Sequence, residues 1–510
     1  MNLNLCLKVL DSEQIRQTDQ FTIKNEPISS LDLMERASER FVERFAEMHS
    51  EVNPVIVFCG VGNNGGDGLA ISRLLLKRGY TVNAYIIGQL EKRTRDFDIN
   101  YDLIQQFLKP VILKHEADFP TLTAKEIVID AIFGSGLTRP VTGLYAILLS
   151  YINHSACRNI VAVDIASGLS CDSKLEGGEK LKVSHTISFQ VPKLPFFFPT
   201  YSAYCGQIDI VNIGLNEDQL NTLPSNKYQV TSEFIASIWK KRPKYAHKGL
   251  MGRDLLIVGS KGKIGAAVLS ARACLKSGAG LLTVASPKCG TAILQTAIPE
   301  AMVDENTGES VLIDPINLTG YDAVGIGPGI GVSHETRTLV GNILQNCKGG
   351  LVIDADAINI IADHDQLMTS LPKMSILTPH PGEFARMVGD WNDDYQRLEL
   401  QVEFSVRHQV VLVLKGANTS ISTPEGQVFF NTTGNPGLAT AGSGDVLTGI
   451  ITSFLGQRYP ASEAALLGVY LHGLAADIYT ASKAMETLIA SDIINHLGDA
   501  IQTLSVRNKI

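Results

Sequence analysis

The chain has 510 residues, 45% of them hydrophobic, and a formal net charge of -8 at pH 7. That length exceeds one ordinary hydrophobic core and predicts two domains, while the apolar share excludes a disordered chain. Charges of both signs are dispersed without a long basic block, which argues against nucleic acid as a main partner.

The opening MNLNLCLKVLDSEQ lacks a basic start followed by a long apolar run, so no secretory signal is expected. No stretch approaches the roughly 18 uninterrupted apolar residues of a membrane-spanning helix, and no membrane partner is expected. Eight cysteines stand far apart, at 6, 59, 157, 171, 205, 274, 289 and 347, with no Cys-x-x-Cys pair. Scattered thiols suit core positions and a reducing compartment, so a soluble cytoplasmic protein is expected.

Short β-branched runs recur, each followed by glycine and a helix-period segment. They are PVIVFCG (54–60), EIVIDAIFG (126–134), NIVAVDIASG (159–168), RDLLIVGS (253–260), DAVGIGPG (322–329) and GLVIDADAIN (350–359). Near-continuous apolar strands alternating with helices predict parallel sheets covered on both faces, hence an α/β fold, twice. The boundary falls after QIDIVNIGLN (207–216), where EDQLNTLPSNKYQVT (217–231) is polar, carries proline and shows no clear period. A cut near residue 226 gives domains 1–225 and 226–510, with a new strand series opening near Leu255.

In the first domain GVGNNGGDG (60–68) directly follows a strand, and Ile71, Leu74 and Leu75 then give a helix its apolar face. Glycines 60, 62 and 65 match a dinucleotide fingerprint, in which backbone N–H groups at a helix start hold a phosphate. The fingerprint also requires an acid about 20 residues on, for a ribose. The corresponding TVNAYIIG (81–88) has none, which disfavours an ordinary dehydrogenase. Asn64 can offer a carbonyl oxygen to a cation, Asp130 and Asp164 each end a strand, and Ser167 follows the second. Ligands of an open parallel sheet bind beyond the carboxyl ends of its strands, so these groups can converge. Such neutral and anionic oxygens suit a hard monovalent cation. The alternative, for each acid taken alone, is a helix cap or a turn.

GVGNNGGDG, DAIFGSGLTRPVTG (130–143) and DIASGL (164–169) resemble the NAD(P)HX epimerase family, over essentially residues 1–220. That family acts on NADH or NADPH that has gained water at C6 of the nicotinamide ring, and interconverts the two epimers. The resemblance implies a Rossmann-like, three-layer α/β/α domain. It implies substrate binding by Asn63, Asn64, Gly65, Gly66 and Asp67, and by Gly134, Ser135, Gly136, Leu137, Thr138, Arg139 and Pro140. It implies potassium (K+) held by Asn64, Asp130 and Ser167, and a substrate contact and catalytic role for Asp164. Ala166 stands where the family usually has proline, which removes no functional group. Inverting C6 breaks and remakes a bond at an N,O-acetal-like carbon, where a carboxylate beside the hydroxyl can shuttle its proton. Asp164 is the expected acid/base.

The second domain carries SKGKIGAA (260–267), GIGPGIG (325–331), TPHPGE (378–383) and AGSGDVLTG (441–449) at strand ends. The last precedes a helix whose buried face is read as Val446, Leu447, Ile450, Ile451, Phe454 and Leu455. Gly442 and Gly444 leave backbone N–H groups free at its start, where the dipole favours an anion, and Asp445 sits beside that anion hole. A carboxylate there can take a proton from a hydroxyl while the amides stabilise a transferring phosphoryl group. Glycine followed by aspartate is also a common helix cap, the simpler reading of an isolated GSGD. VVLVLKGANTSI (410–421) reads as strand, turn, strand, and its turn can hold an adenine nucleotide.

These motifs, with HKG (247–249), SGAGLLTVAS (277–286), VIDADAIN and GNPGLATAGSGDVLTG, resemble the ribokinase-like fold and its ADP- or ATP-dependent NAD(P)HX dehydratase family, over about residues 230–505. The resemblance implies that Ala266, Gly331, His380 and Asp445 contact the hydrated cofactor. It implies that Lys415, Gly416, Ala417, Asn418, Thr419 and Gly444 contact the nucleotide, which carries Mg2+ on its phosphates. Serine stands at 443 where threonine is usual and keeps the hydroxyl. His380, between two prolines, reads alone as a rigid turn with a satisfied ring; within LTPHPGE it reads as a substrate contact, and it lacks the partner spacing of a metal ligand. The expected chemistry is deprotonation of the C6 hydroxyl by Asp445, phosphorylation by ADP or ATP, and elimination.

Two other readings stand beside this one: a ribokinase-like kinase for a small alcohol, and an N-terminal half that senses nucleotides without catalysis. The epimerase-like half argues against the first. Asp164 together with Asn64, Asp130 and Ser167 argues against the second. ADP against ATP and NADHX against NADPHX stay open. The order of fusion resembles the ADP-dependent members, and the resemblance implies a homo-oligomer.

Overall fold

The computed structural model describes residues 1–507, with side chains through residue 504. The chain divides into two compact units, residues 7–225 and residues 226–510 together with 1–6. Both are α/β and built on largely parallel sheets, as the strand pattern anticipates. The first six residues, assigned from sequence to the N-terminal domain, instead join the second unit. Cys6 is buried in a cluster with Tyr228, Val230 and Phe234, and the Thr231 hydroxyl donates to the Leu5 carbonyl at 2.5 Å.

The first unit is a seven-stranded sheet of wholly parallel pairs. The chain enters at the strand Val55–Cys59 and runs outward through Val82–Ile87 to Val111–Leu113. It then returns to pair Ile127–Ala131 with the other side of the first strand, and continues through Asn159–Val163, His185–Phe189 and Gln207–Val211. Alternate side chains point to one face, where Val55, Val57, Cys59, Ile129 and Val161 meet Phe41, Phe45, Leu69, Ile71 and Phe97 from three helices. The helix Asn63–Lys77 lies too close to the sheet for side chains at its start. A Cβ on Gly65 would fall 1.9 Å from the Gly60 carbonyl oxygen, and one on Gly68 2.5 Å from the Ala131 Cβ.

The second unit reverses the same way. Arg253–Ile257 is central, with Leu281–Pro287 and Met302–Asn306 on one side and Ala323–Ile326, Gly350–Ile353, Ile376–Leu377 and Val411–Leu414 on the other, all parallel. Two antiparallel strands, Ser420–Ser422 and Val428–Phe430, extend it. The segment read as an aperiodic linker is ordered: Glu217–Thr222 is helical, and Lys227–Gln229 pairs parallel with Val428–Phe430. That strand has only three residues, too few for a period to show.

Ala323, Val352, Ile376, Val411 and Val413 face the helices Ser443–Gly456 and Ala461–Thr480, while Val324, Ile353, Leu377 and Leu412 face the opposite layer. Ser443–Gly456 is buried on all sides from Val446 to Gly456, beyond the single face read from sequence. Its threonines satisfy themselves locally, Thr452 donating to the Thr448 carbonyl at 2.7 Å. This helix presses on Ile264–Lys276 at Gly449, where a Cβ would stand 2.1 Å from the Ser270 carbonyl oxygen. Gly449→Ala is therefore expected to destabilise the second unit by about 1–3 kcal/mol, since the obstacle is backbone. A lowered urea midpoint would register it, and an unchanged midpoint would show that the helices part freely.

Candidate functional sites

In an open parallel sheet the crevice opens where strand order reverses. The first unit reverses between Val55–Cys59 and Ile127–Ala131, and a cavity of about 780 Å³ lies there. Asn63, Asn64, Asp67, Gly134, Ser135, Gly136, Leu137, Thr138, Arg139 and Asp164 all line it. Gly65, Gly66 and Pro140 do not. Gly65 packs on Gly60, and a Cβ on Gly66 would meet the Met34 sulfur at 2.9 Å, so these two glycines let the helix close on its neighbours.

Asp164 follows its strand with φ +67°, a left-handed conformation that aspartate tolerates better than most residues. That turn places its carboxylate beneath the end of the strand His185–Phe189. Oδ1 accepts from the Phe189 N–H at 3.0 Å, from the Ser188 hydroxyl at 3.3 Å and from the Lys193 ammonium. Lys193 is fully buried and also donates to Ser188 Oγ and the Phe189 carbonyl, both at 2.9 Å. Oδ2 of Asp164 takes no hydrogen bond from the described residues and is left to the cavity.

Asp130 and Ser167 are fully buried and bound to each other. The Ser167 hydroxyl donates to Oδ1 at 2.6 Å, its N–H to Oδ2 at 2.7 Å, and it accepts from the Phe133 N–H at 2.9 Å. Burial pushes the Asp130 carboxyl up to about 6, against the pull of those hydrogen bonds. Asn64 lies alongside the next residue, since a Cβ on Gly134 would be 3.4 Å from its Oδ1, and its Nδ2 is buried without a partner. The three residues thus converge on the Phe133–Gly134 segment. Asp67 is held well above its ordinary value by burial, then by the charges of Asp164, Asp19 and Asp96.

Sequence reasoning missed Lys193 and a whole wall of this cavity. Lys193 had a signal, a lone cation inside VPKLPFFFP (191–199). The wall is the helix Ser12–Asn25, which contributes Ser12, Ile15, Arg16 and Asp19 and carries no motif.

In the second unit the start of Ser443–Gly456 borders a cavity of about 500 Å³. Lys415, Gly416, Ala417, Thr419 and Gly444 line it, and Asn418 sits in the same turn between Val411–Leu414 and Ser420–Ser422. The Lys415 ammonium donates to Asp354 Oδ1 at 2.9 Å and lies 3.9 Å from Glu383. Burial opposes its charge, but Asp354 and Glu383 prevail and raise it above the usual lysine range. The second Asp354 oxygen accepts from Thr448 at 2.7 Å, which ties the helix to the strand end. A Cβ on Gly444 would sit 3.6 Å from the Lys415 ammonium, so the cation stands at the helix start.

Asp445 is pushed up to about 6 by burial and then by the charge of Asp354, with Lys415 opposing. Neither Asp445 nor the other expected substrate contacts line the 500 Å³ cavity. Gly331 donates its N–H to Asp356 at 2.8 Å, and Lys263 pairs with the same carboxylate at 3.2 Å. Ala266 packs near Gly329 in that cluster. His380 is the rigid turn with a satisfied ring that the sequence allowed. Its Nδ1 caps the helix Pro381–Val388 by accepting from Gly382 and Glu383 N–H at 3.0 and 3.3 Å. That fixes the tautomer with Nε2 as donor, on a side chain 53% exposed.

Asp354, Thr448, Glu383 and His472 belong to the site and were not singled out. Asp354 ends a strand as Asp130 and Asp164 do, a signal present in VIDADAIN. His472 was hidden within a helix; burial lowers it to about 4, and its neutral ring donates Nε2–H to the Ser443 carbonyl at 3.0 Å.

The model of the family described as YjeF-related protein N-terminus matches residues 30–194, and that described as NAD(P)H-hydrate dehydratase matches residues 255–498. The chain is 36% identical to the bifunctional NAD(P)H-hydrate repair enzyme Nnr of Moorella thermoacetica, over 97% of both chains. It is 33% identical to the Coxiella burnetii enzyme of that name, over 95% of this chain and 98% of the other. An ADP/ATP-dependent NAD(P)H-hydrate dehydratase from Bacillus subtilis, co-crystallised with ATP/Mg2+, is 32% identical over 54% of this chain and 97% of its own, with TM-score 0.49. With near-complete coverage of both halves, the chain belongs to the family of bifunctional NAD(P)H-hydrate repair enzymes.

Proposed function

We propose that the first unit interconverts the C6 epimers of hydrated NADH and NADPH, and that the second dehydrates the S epimer using ADP or ATP. The observation that carries this reading is the pair of cavities, one at a strand-order reversal and one at a helix start: Asp164 lines the first, and Asp445 stands in the first turn of the helix whose start, Ser443 and Gly444, lines the second. In the first unit Asp164 is the group that takes and returns the C6 hydroxyl proton. Asn63, Asn64, Asp67 and the 134–139 loop hold the dinucleotide, with the cations Lys92 and Arg139 available to its phosphates.

Potassium suits Asn64, Asp130 and Ser167, whose donor atoms are a neutral amide oxygen, a carboxylate and a hydroxyl. The buried, partnerless Asn64 amide supports this, because turning it would direct its oxygen to an adjoining ion. The ion would supply charge that organises the 133–135 loop.

In the second unit Asp445 takes the C6 hydroxyl proton and the oxygen attacks the terminal phosphorus of the magnesium nucleotide, which leaves one phosphate shorter. Lys415 and the helix N–H groups neutralise the transferring group. The C6–O bond then breaks with phosphate as leaving group, the ring-nitrogen lone pair forms the iminium, and loss of a C5 proton restores the dihydropyridine. Gly331, Ala266 and His380 orient the ring-bearing half, and the 415–419 turn binds the nucleotide. Eight unpaired cysteines support a cytoplasmic setting, and the family resemblance alone supports a homo-oligomer.

Mixed epimers of NADHX incubated with ADP, ATP or no nucleotide are expected to regain reduced-nicotinamide absorbance completely, and only with nucleotide. Recovery of half the mixture would refute epimerisation; release of a phosphorylated alcohol without NADH would favour a kinase. Because the base acts when ionised, dehydration should rise with pH through about 6 and then level off. Asp445→Asn should lower kcat on the order of 100-fold or more. Lys193→Met should cost the first unit about 3–5 kcal/mol, by leaving Asp164 buried without its counter-ion. Denaturation monitored by hydrogen exchange in residues 159–190 measures this.

A further inference from the structure

The helix Ser12–Asn25 lies ahead of the stretch matched by the model of the YjeF-related protein N-terminus, residues 30–194. Ser12, Ile15, Arg16 and Asp19 are spaced i, i+3, i+4 and i+7, so one helix face forms a wall of the first cavity. The wall is anchored at its start: Asp11 and Gln14 cap each other's backbone, and Ser12 donates its N–H and hydroxyl to Asp172 at 2.8 and 2.5 Å. The Asp19 side chain forms no hydrogen bond or ion pair among the described residues. A carboxyl group held on a fixed wall, half-buried and uncommitted, has no structural task there. The charged groups sharing the cavity with it are Arg16, Asp67, Lys92, Arg139, Asp164 and Lys193.

We propose that Asp19 is the second proton-transfer residue of the epimerase, serving the ring nitrogen while Asp164 serves the C6 hydroxyl. This rests on the epimerase reading of the first unit. Asp164 removes the hydroxyl proton, the C6–N1 bond breaks as C6=O forms, and the electron pair passes to N1, which takes the proton of Asp19. Rotation about C5–C6 turns the aldehyde over. N1 then adds to its other face, losing its proton to Asp19 while the oxygen regains one from Asp164. No proton, electron or water is gained or lost overall. The two carboxyls are suited to opposite ends of this transfer. Lys193 and two further donors hold Oδ1 of Asp164 and leave its other oxygen to the cavity, whereas Asp19 has no such partners, and burial, followed by the charge of Asp164, pushes it up to about 7.

The test is epimerisation of one purified epimer by the full-length protein, without nucleotide, across pH. The wild-type rate should fall as pH rises through about 7, where the acid form of Asp19 is lost. Asp19→Asn should lower kcat about 100-fold, leave KM little changed, and abolish that limb of the profile. Asp19→Glu should restore part of the rate together with the limb. Substrate labelled with 18O at C6 should keep its label through epimerisation. An Asp19→Asn protein with wild-type kcat and pH profile, or with a raised KM alone, overturns the proposal, as does loss of the label at each turnover. Failure of the wild-type chain to epimerise would instead overturn the epimerase reading.

Discussion

In each half of the chain a lysine ammonium is drawn out of water against the aspartate that ends a strand, Lys193 on Asp164 and Lys415 on Asp354. Removing such ions from water costs several kcal/mol apiece, recovered only where geometry and further hydrogen bonds satisfy both partners. Lys193 meets that demand fully, its three N–H groups serving a carboxylate, a hydroxyl and a carbonyl. The result is an aspartate with one oxygen locked and the other committed to nothing but the cavity. In the second half the locking goes further. Thr448 takes the remaining oxygen of Asp354, so that aspartate becomes purely a holder of Lys415, and the carboxyl proposed to react is a different one, Asp445.

Under the proposed function the same physical arrangement serves two chemistries. Where the lysine secures the carboxylate proposed to react, its own charge is spent on that carboxylate, and the proposed reaction asks only for proton movement on the substrate. Where the lysine is secured by a spectator carboxylate, its charge stands at a helix start among free N–H groups, which is what phosphoryl transfer requires. Left-handed backbone accompanies both: Asp164 itself at φ +67°, and Ala355 at φ +48° directly after Asp354. Local strain at the strand ends is the cost of directing these carboxylates across rather than along the sheet.

Much of this was legible in the sequence because the signals were local. Apolar strands ending in glycine or aspartate announced both parallel sheets, and the glycine-rich loops announced the carboxyl edges where ligands sit. What was illegible depended on distance or on packing. Asp19 lies 145 residues before Asp164 and joins it only through the fold. Gly65 and Gly66 look like ligand-binding residues in NNGGD, yet their missing side chains make room for Gly60 and Met34. The 217–231 stretch lacks a period because a three-residue strand and a six-residue helix are each too short to display one.

The packing of residues 1–6 with residues 226–510 makes the first unit an insertion in the sequence of the second. During synthesis on the ribosome, residues 7–225 emerge complete and can fold while the second unit holds only its opening segment. That segment must wait, with Cys6 uncovered, until Tyr228, Val230 and Phe234 arrive to enclose it. A gene fragment starting at residue 226 would leave that enclosure open and the Thr231 hydroxyl without Leu5. Shuffling of the two halves as free-standing cassettes is thereby discouraged, and the fusion is written into the core as well as into the reading frame.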